Sequence, residues 1–371
     1  MTNAVKTGRN MGIDLLRGIA MFFVIIWHFI GRGGLLEHAQ PDSLKFWVLS
    51  SAQILAVCCV NLYGLITGYL MCDKQFRLSR VVKLWVTTVF WSVAVSCVLF
   101  AVFPELRTFA EMVSMFLPIL RGRYWFFTAY VVVMLLSPVL NLVIRSLTRG
   151  TFRLLLAVLF LLFGVIPVGS LGYDVMRIST GHHFSWMIVL YIIGGYLRRF
   201  STEGNAKKWL AGYFLFGGVH LAYKFSVTAI GLGGYGNLLL TYPSPLVVGE
   251  TVCLFLYFKN AFAGRNKDGA LSRFIRFAAP GVYSVYVIHV HPGLYWNERV
   301  AALLRPWDHW NILAVCGAMV GTAAVLFMVC VCLDAARQWL FCVLGIDRTL
   351  DRVSDRIESK VRALLGDGKE K

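Results

Sequence analysis

GIDLLRGIAMFFVIIWH, residues 12–28, is the stretch from which the fold can be read. Ten uncharged residues separate Arg17 from His28, so an apolar run is bounded by two ionisable side chains. Their separation is about three turns of an α-helix, which sets both on one face about 16 Å apart along the axis. Asp14, three residues before Arg17, is within pairing reach on such a helix and would hold the guanidinium near the boundary. Singly, each residue has a bland explanation: Arg17 snorkels to headgroups, and His28 is an interfacial histidine beside Trp27. Together on one face they point to function, because ionisable groups within a membrane span are costly and usually serve a site.

The rest of the chain has the same character. Its 371 residues are 58% hydrophobic and only 15% charged, with a mean hydropathy of +0.68. Soluble domains carry nearer a quarter charged residues, so a soluble enzyme, a disordered tail protein and a collagen-like repeat are all excluded. Phe (27), Tyr (15) and Trp (11) supply the rings that favour membrane interfaces; Trp47, Trp125, Trp186 and Trp296 fit such a belt. The nine cysteines lie almost entirely in apolar runs without metal-ligand spacing and read as small hydrophobes. Lys6 and Arg9 before an apolar run resemble a signal peptide, but Arg17 interrupts the run and no small-residue cleavage site follows, so the segment is expected to be retained.

A spanning helix needs about 20 apolar residues, and the charged or Gly/Pro-rich breaks divide the chain into ten runs. They are 12–30, 47–71, 84–103, 124–144, 153–168, 183–198, 209–230, 245–262, 277–296 and 311–336. No strand alternation is present, so the expected fold is all-α, a polytopic membrane bundle of about ten transmembrane helices. With the N-terminus cytoplasmic, 26 of the 36 Lys and Arg fall in inner loops or tails. The net charge of +17 is thus explained by topology and not by nucleic acid, and both termini are expected to be cytoplasmic. Residues 1–336 form the membrane domain. Residues 337–371 read as a cytoplasmic tail, an amphipathic helix with Leu350, Val353, Ile357, Val361 and Leu364 on one stripe, lying on the inner leaflet or against a partner helix.

Asp14-x-x-Arg17, ten further residues and His28 resemble the first-helix signature of the acyltransferase-3 family, bacterial membrane enzymes that O-acylate surface carbohydrates. Three further segments resemble that family in order: NLYGLITGYL (61–70) with the basic stretch Arg77 to Lys83, YWFF (124–127) running to Ser137-Pro138, and YSVYVIH (283–289). The chain departs from the pattern at Val287, where Leu is commoner, and in a second histidine, His291, which leaves open whether His289 or His291 faces the site. The resemblance implies a membrane O-acyltransferase, most simply an O-acetyltransferase, of the bacterial cytoplasmic membrane. Acyl-CoA would be its co-substrate and a surface polysaccharide or lipid-linked glycan its acceptor, with no tightly bound cofactor and no metal.

Elementary chemistry assigns roles within that expectation. A base must take the acceptor's hydroxyl proton, and a neutral imidazole with a pKa of about 6.5 suits the task, so His28 is the candidate, with Arg17 and Asp14 completing the catalytic set. The phosphates of acyl-CoA call for inner-face cations, for which Arg17, Arg77, Arg80 and Lys83 are placed, although positive-inside topology alone explains the loop cations. Arg121, Arg123, Trp125, Glu250 and His289 are candidates for acceptor binding, with His220, Lys224, His182 and His183 also expected on the outer side. Arg121 and Arg123 break the inside bias and could serve as oxyanion donors or stand as exposed loop residues. A different class of reading is a proton-coupled transporter using His28, His220, Lys224 and Glu250, against which the lack of an internal repeat counts. A third is a structural membrane partner of glycan enzymes, in which the Arg17 and His28 pair would be accidental.

Overall fold

Asn10 opens the first helix by accepting hydrogen bonds from the backbone N–H groups of Gly12 and Ile13 at 2.9 and 3.3 Å. A mainly apolar sequence then carries α1 (Met11–Ile30) to Gly31. The structure, a computed structural model, describes residues 10–201, 203–263 and 269–365. Of the inner cations read from the sequence, Lys6, Arg9, Arg265, Lys267, Lys369 and Lys371 lie outside the described residues. The chain continues through α2 (Leu44–Ala56), α3 (Cys59–Met71), α4 (Leu78–Val102), α5 (Phe109–Ser114), α6 (Trp125–Ser146), α7 (Arg149–Phe160) and α8 (Ile166–Gly169). It ends with α9 (Phe184–Phe200), α10 (Ala206–Ala229), α11 (Pro245–Ala261), α12 (Ala270–Ala278), α13 (Val282–His289), α14 (Pro292–Tyr295), α15 (Glu298–Ala302), α16 (Ile312–Val343) and α17 (Ile346–Leu365). No strand occurs among the described residues, and the protein is a multi-pass helical membrane protein.

Among the described residues, six helical stretches are long and apolar enough to cross a membrane: Met11–Ile30, Leu44–Met71, Leu78–Val102, Trp125–Ser146, Arg149–Gly169 and Ile312–Val343. Helix length and composition therefore support six of the ten expected spans. The other four runs are helical but differ from the expectation for identifiable reasons. Helices α9 and α11 have only 17 residues each. In α10, His220, Lys224 and three glycines dilute an otherwise sufficient length. The run 277–296 is not one helix, because Pro280-Gly281 and Pro292 divide it among α12, α13 and α14. The last spanning helix continues to Val343, past residue 336, before Gly345 turns the chain at φ 66°.

The basic loops gather at one end of the bundle and are knitted there to helix C-termini. Arg145 donates to the Cys72 carbonyl at 3.1 Å, Arg198 pairs with Asp73 at 2.9 Å, Lys259 donates to Ser201 at 2.7 Å, and the Asn10 amide donates to the Lys259 carbonyl at 3.3 Å. Cations belong at such ends, where unpaired carbonyls accumulate. At the same end α17 packs along the start of α4. Lys83 pairs with Asp351 at 2.7 Å, and the Glu358 carboxylate accepts from the Leu78 N–H. The Lys83 hydrogen bond holds the Asp351 carboxyl below the usual carboxylate range. The tail is thus an amphipathic helix, as its periodicity implies, docked on α4 with Val353, Ile357 and Val361 still half exposed.

Two devices lock the core. Gly64 and Gly68 of α3 face α9 with no room for a side chain: a Cβ at Gly68 would overlap the Tyr191 carbonyl, and one at Gly194 would overlap that of Leu65. This is close packing of small residues, the usual means of association between helices in lipid. The second device is Asp334 of α16, fully buried, which accepts from Trp91 at 3.0 Å, Ser284 at 2.5 Å, Arg337 at 2.7 Å and Gln338 at 2.7 Å. It ties α4, α13 and α16 together. Asp334→Leu would strand those donors, and a loss of about 3–5 kcal/mol is expected. Thermal unfolding in detergent should place its midpoint well below wild type and below Asp334→Asn, which keeps an acceptor oxygen.

Candidate functional site

Arg17, Met21, Val24 and His28 follow one another at four-, three- and four-residue steps, one stripe of α1, and all four line a single cavity of about 590 Å³. Helix α3 faces them with Val60, Tyr63, Thr67 and Leu70 at similar steps, and Lys74 in the loop after α3 adds a cation. The start of α6 (Trp125, Phe126), the turn before it (Gly122 to Tyr124), and Tyr283 and Tyr286 of α13 complete the walls. One end holds Arg17 and Lys74; the other holds His28, Trp125, His182, Tyr242, Tyr295 and Trp296. The sequence expectation that Arg17 and His28 share a face and link two depths holds in the structure. Asp14 lies 3.9 Å from Arg17, and the Tyr63 hydroxyl donates to the Arg17 carbonyl at 2.6 Å, pinning α1 to α3.

Beside His28 stands His289, with His28 Nδ1 3.1 Å from His289 Nε2, and His289 Nδ1 is 2.5 Å from the Val285 carbonyl. The Tyr295 ring meets His28 edge-on, with centroids 4.8 Å apart. His291 faces elsewhere: its Nε2 lies 2.8 Å from Arg123 and 3.0 Å from Ser96. Of the two histidines, His289 is therefore the one at His28.

Arg123 is almost wholly buried and organises the turn before α6, donating to Glu111 and Ser114, each at 2.7 Å, and to Ser96 at 3.0 Å. Tyr124 caps α6 without a side-chain hydrogen bond to it, and the Tyr286 hydroxyl stands at that helix N-terminus, against the backbone N–H groups of Phe126 and Phe127. At the mouth, Trp125 contacts His182 at 4.6 Å and stacks at 6.2 Å on Tyr242. Burial pushes the His182 imidazole below its ordinary pKa.

Several expected site residues are elsewhere. Arg121 is exposed and outside the cavity lining, unlike Arg123 two residues on. Arg77 and Arg80 do not line the cavity either; Arg80 turns to the Gln75 carbonyl at 3.2 Å, and Lys83 is held by the tail. Lys74, in the loop between α3 and α4, is the loop cation at the cavity. Glu250 is fully buried on α11 against Gly217 of α10, away from the cavity. His220 is fully buried on the same face of α10, and among the described residues neither it nor Glu250 has a side-chain hydrogen-bond partner. Sequence reasoning missed Tyr63 and Tyr295, tyrosines in apolar context that carry no local signal until the helices are assembled.

A family model described as an acyltransferase domain matches residues 10–333, nearly the whole chain and all the elements that wall the cavity. No curated protein and no solved structure matches the chain. With 324 of its 371 residues inside that match, the chain belongs to the acyltransferase-3 family of membrane acyltransferases.

Proposed function

We propose that the protein moves an acyl group, most simply acetyl, from cytoplasmic acyl-CoA to a hydroxyl of a surface or lipid-linked carbohydrate, with His28 as the base. The observation that carries this reading is a cavity with cations at one end and an imidazole among aromatic rings at the other. Its volume suits a thin flexible arm and a small acyl group. In this reading ten helices cross the bacterial cytoplasmic membrane and both termini are cytoplasmic, so the Arg17 and Lys74 end meets the nucleotide phosphates. No metal and no tightly bound cofactor takes part.

The acceptor hydroxyl gives its proton to His28 as its oxygen attacks the thioester carbon. The carbon–sulfur bond then breaks, and the leaving thiolate recovers the proton from the imidazolium. The oxyanion formed on the way is favoured by the positive charge of the Arg123 guanidinium, which lines the cavity. Trp125, Tyr242 and Trp296 offer faces on which a sugar ring can lie. The transporter reading is weakened because His220 and Glu250 stand apart from the His28 cavity and form no continuous relay with it.

The test is transfer of labelled acetyl from acetyl-CoA to native glycan in sealed vesicles. Label is expected on the glycan when the donor meets the basic face, in inside-out vesicles, and not when it meets the other face. Failure with acetyl-CoA and then with other acyl-CoAs, with protein and acceptor intact, would overturn the assignment of donor.

A further inference from the structure

We propose that His289 is a positioning residue that fixes His28 as the Nδ1–H tautomer and so keeps the lone pair of its Nε2 free to act as the base; this rests on the acyl-transfer reading above. The argument begins at the far end of the pair. The Val285 carbonyl can only accept, so the 2.5 Å contact requires His289 Nδ1 to carry a hydrogen. A neutral imidazole with hydrogen on Nδ1 has its lone pair on Nε2. That nitrogen is 3.1 Å from His28 Nδ1, which must then be the donor. The hydrogen of neutral His28 is thereby committed to Nδ1, and Nε2 is left with a lone pair. The described contacts of the two rings are each other, the Val285 carbonyl and the Tyr295 ring, with no carboxylate in any of them, so both imidazoles rest neutral.

The chain Val285 carbonyl, His289, His28 does the work that a carboxylate does behind a catalytic histidine elsewhere: it selects the tautomer and holds the ring. It differs in ending on a neutral acceptor one helical turn back on the same helix, α13. During transfer, His28 Nε2 accepts the hydroxyl proton while Nδ1–H stays bonded to His289 Nε2. The positive charge is then shared with a neutral, polarisable ring instead of being neutralised by an anion. When the thiolate leaves, Nε2 returns the proton and the resting tautomer is restored without ring rotation. His28 is consequently ready for the next acceptor hydroxyl in the same geometry.

Three samples test the proposal: the full-length wild type, His289→Leu and His289→Gln, each labelled with 15N-histidine and reconstituted in lipid. In wild type, nitrogen NMR is expected to find His28 with Nδ1 protonated and Nε2 bare. In His289→Leu, the Nε2–H form should appear and kcat should fall about 100-fold with KM for the donor nearly unchanged. The Gln variant, whose amide oxygen can accept from Nδ1–H, should recover part of kcat and of the tautomer. A wild-type His28 protonated on Nε2, or a Leu variant with wild-type kcat, would overturn the proposal. The tautomer is read without turnover, so loss of the acyl-transfer reading and loss of this one are separate outcomes: a wild type inactive with every acyl-CoA sinks the first, and a misassigned proton sinks the second.

Discussion

Replacing His28 by Ala is expected to lower acyl transfer by about 10²–10⁴-fold while leaving the amount of folded protein in the membrane unchanged. The size follows from what is removed. His28 lines the cavity from the stripe of α1 that also carries Arg17. His289 cannot substitute, because its Nδ1 is committed to the Val285 carbonyl and its ring stands behind His28. Folding should survive because His28 is only half buried and contributes little to the packed core, which α1 builds instead from Leu16, Ala20, Ile25 and Ile30. The check is labelled-acyl transfer per unit of protein, with quantity and monodispersity measured on the same preparation. Normal transfer by His28→Ala would end the role assigned to it.

Gly68→Ala is expected to be far more damaging to the fold than the loss of any cavity side chain, despite adding a single methyl group. The added Cβ would overlap the backbone of α9 at Tyr191, and a backbone cannot swing aside as a side-chain end can. Helix α9 would have to move outward, stripping the contact that holds α3, and with it the Tyr63 and Val60 wall of the cavity. The expected result is loss of monodisperse protein in detergent, read by size exclusion. Gly218→Ala in α10 is the control, since nothing lies within 4 Å of a Cβ there. Helix propensity alone predicts that this change is neutral or stabilising, by up to about 1 kcal/mol. Equal behaviour of the two variants would refute the account of the α3–α9 contact.

Much of this was legible in the sequence because the relevant signal is local. The spacing of Arg17 and His28 along one helix survives assembly unchanged, and the apolar runs mark helices wherever they occur. The tail's stripe likewise predicts α17. What failed depended on contacts between distant segments. Arg121 and Arg123 are equivalent on paper, but only Arg123 meets Glu111, Ser96 and His291, which lie 12, 27 and 168 positions away. Glu250 looked like a residue of the acceptor site, yet α11 turns it toward Gly217 of α10. Lys83 looked like a phosphate ligand until Asp351, 268 positions on, was brought to it. The choice between His289 and His291 depends on the break at Pro292 and the end of α13, two residues that face different neighbours once the helix stops.

The cavity has a further consequence for the cell's energy supply. A bilayer that stores an ion gradient is discharged by any standing thread of water, and this cavity reaches from the Arg17 and Lys74 end to the Trp125 and Trp296 end. Its walls include the apolar Met21, Val24, Ile66 and Leu70. Apolar walls shed water more readily than polar ones and so insulate, while still admitting a slender organic chain. Under the acyl-transfer reading proposed above, the same side chains would admit the donor's arm and still keep the idle protein from acting as a short circuit.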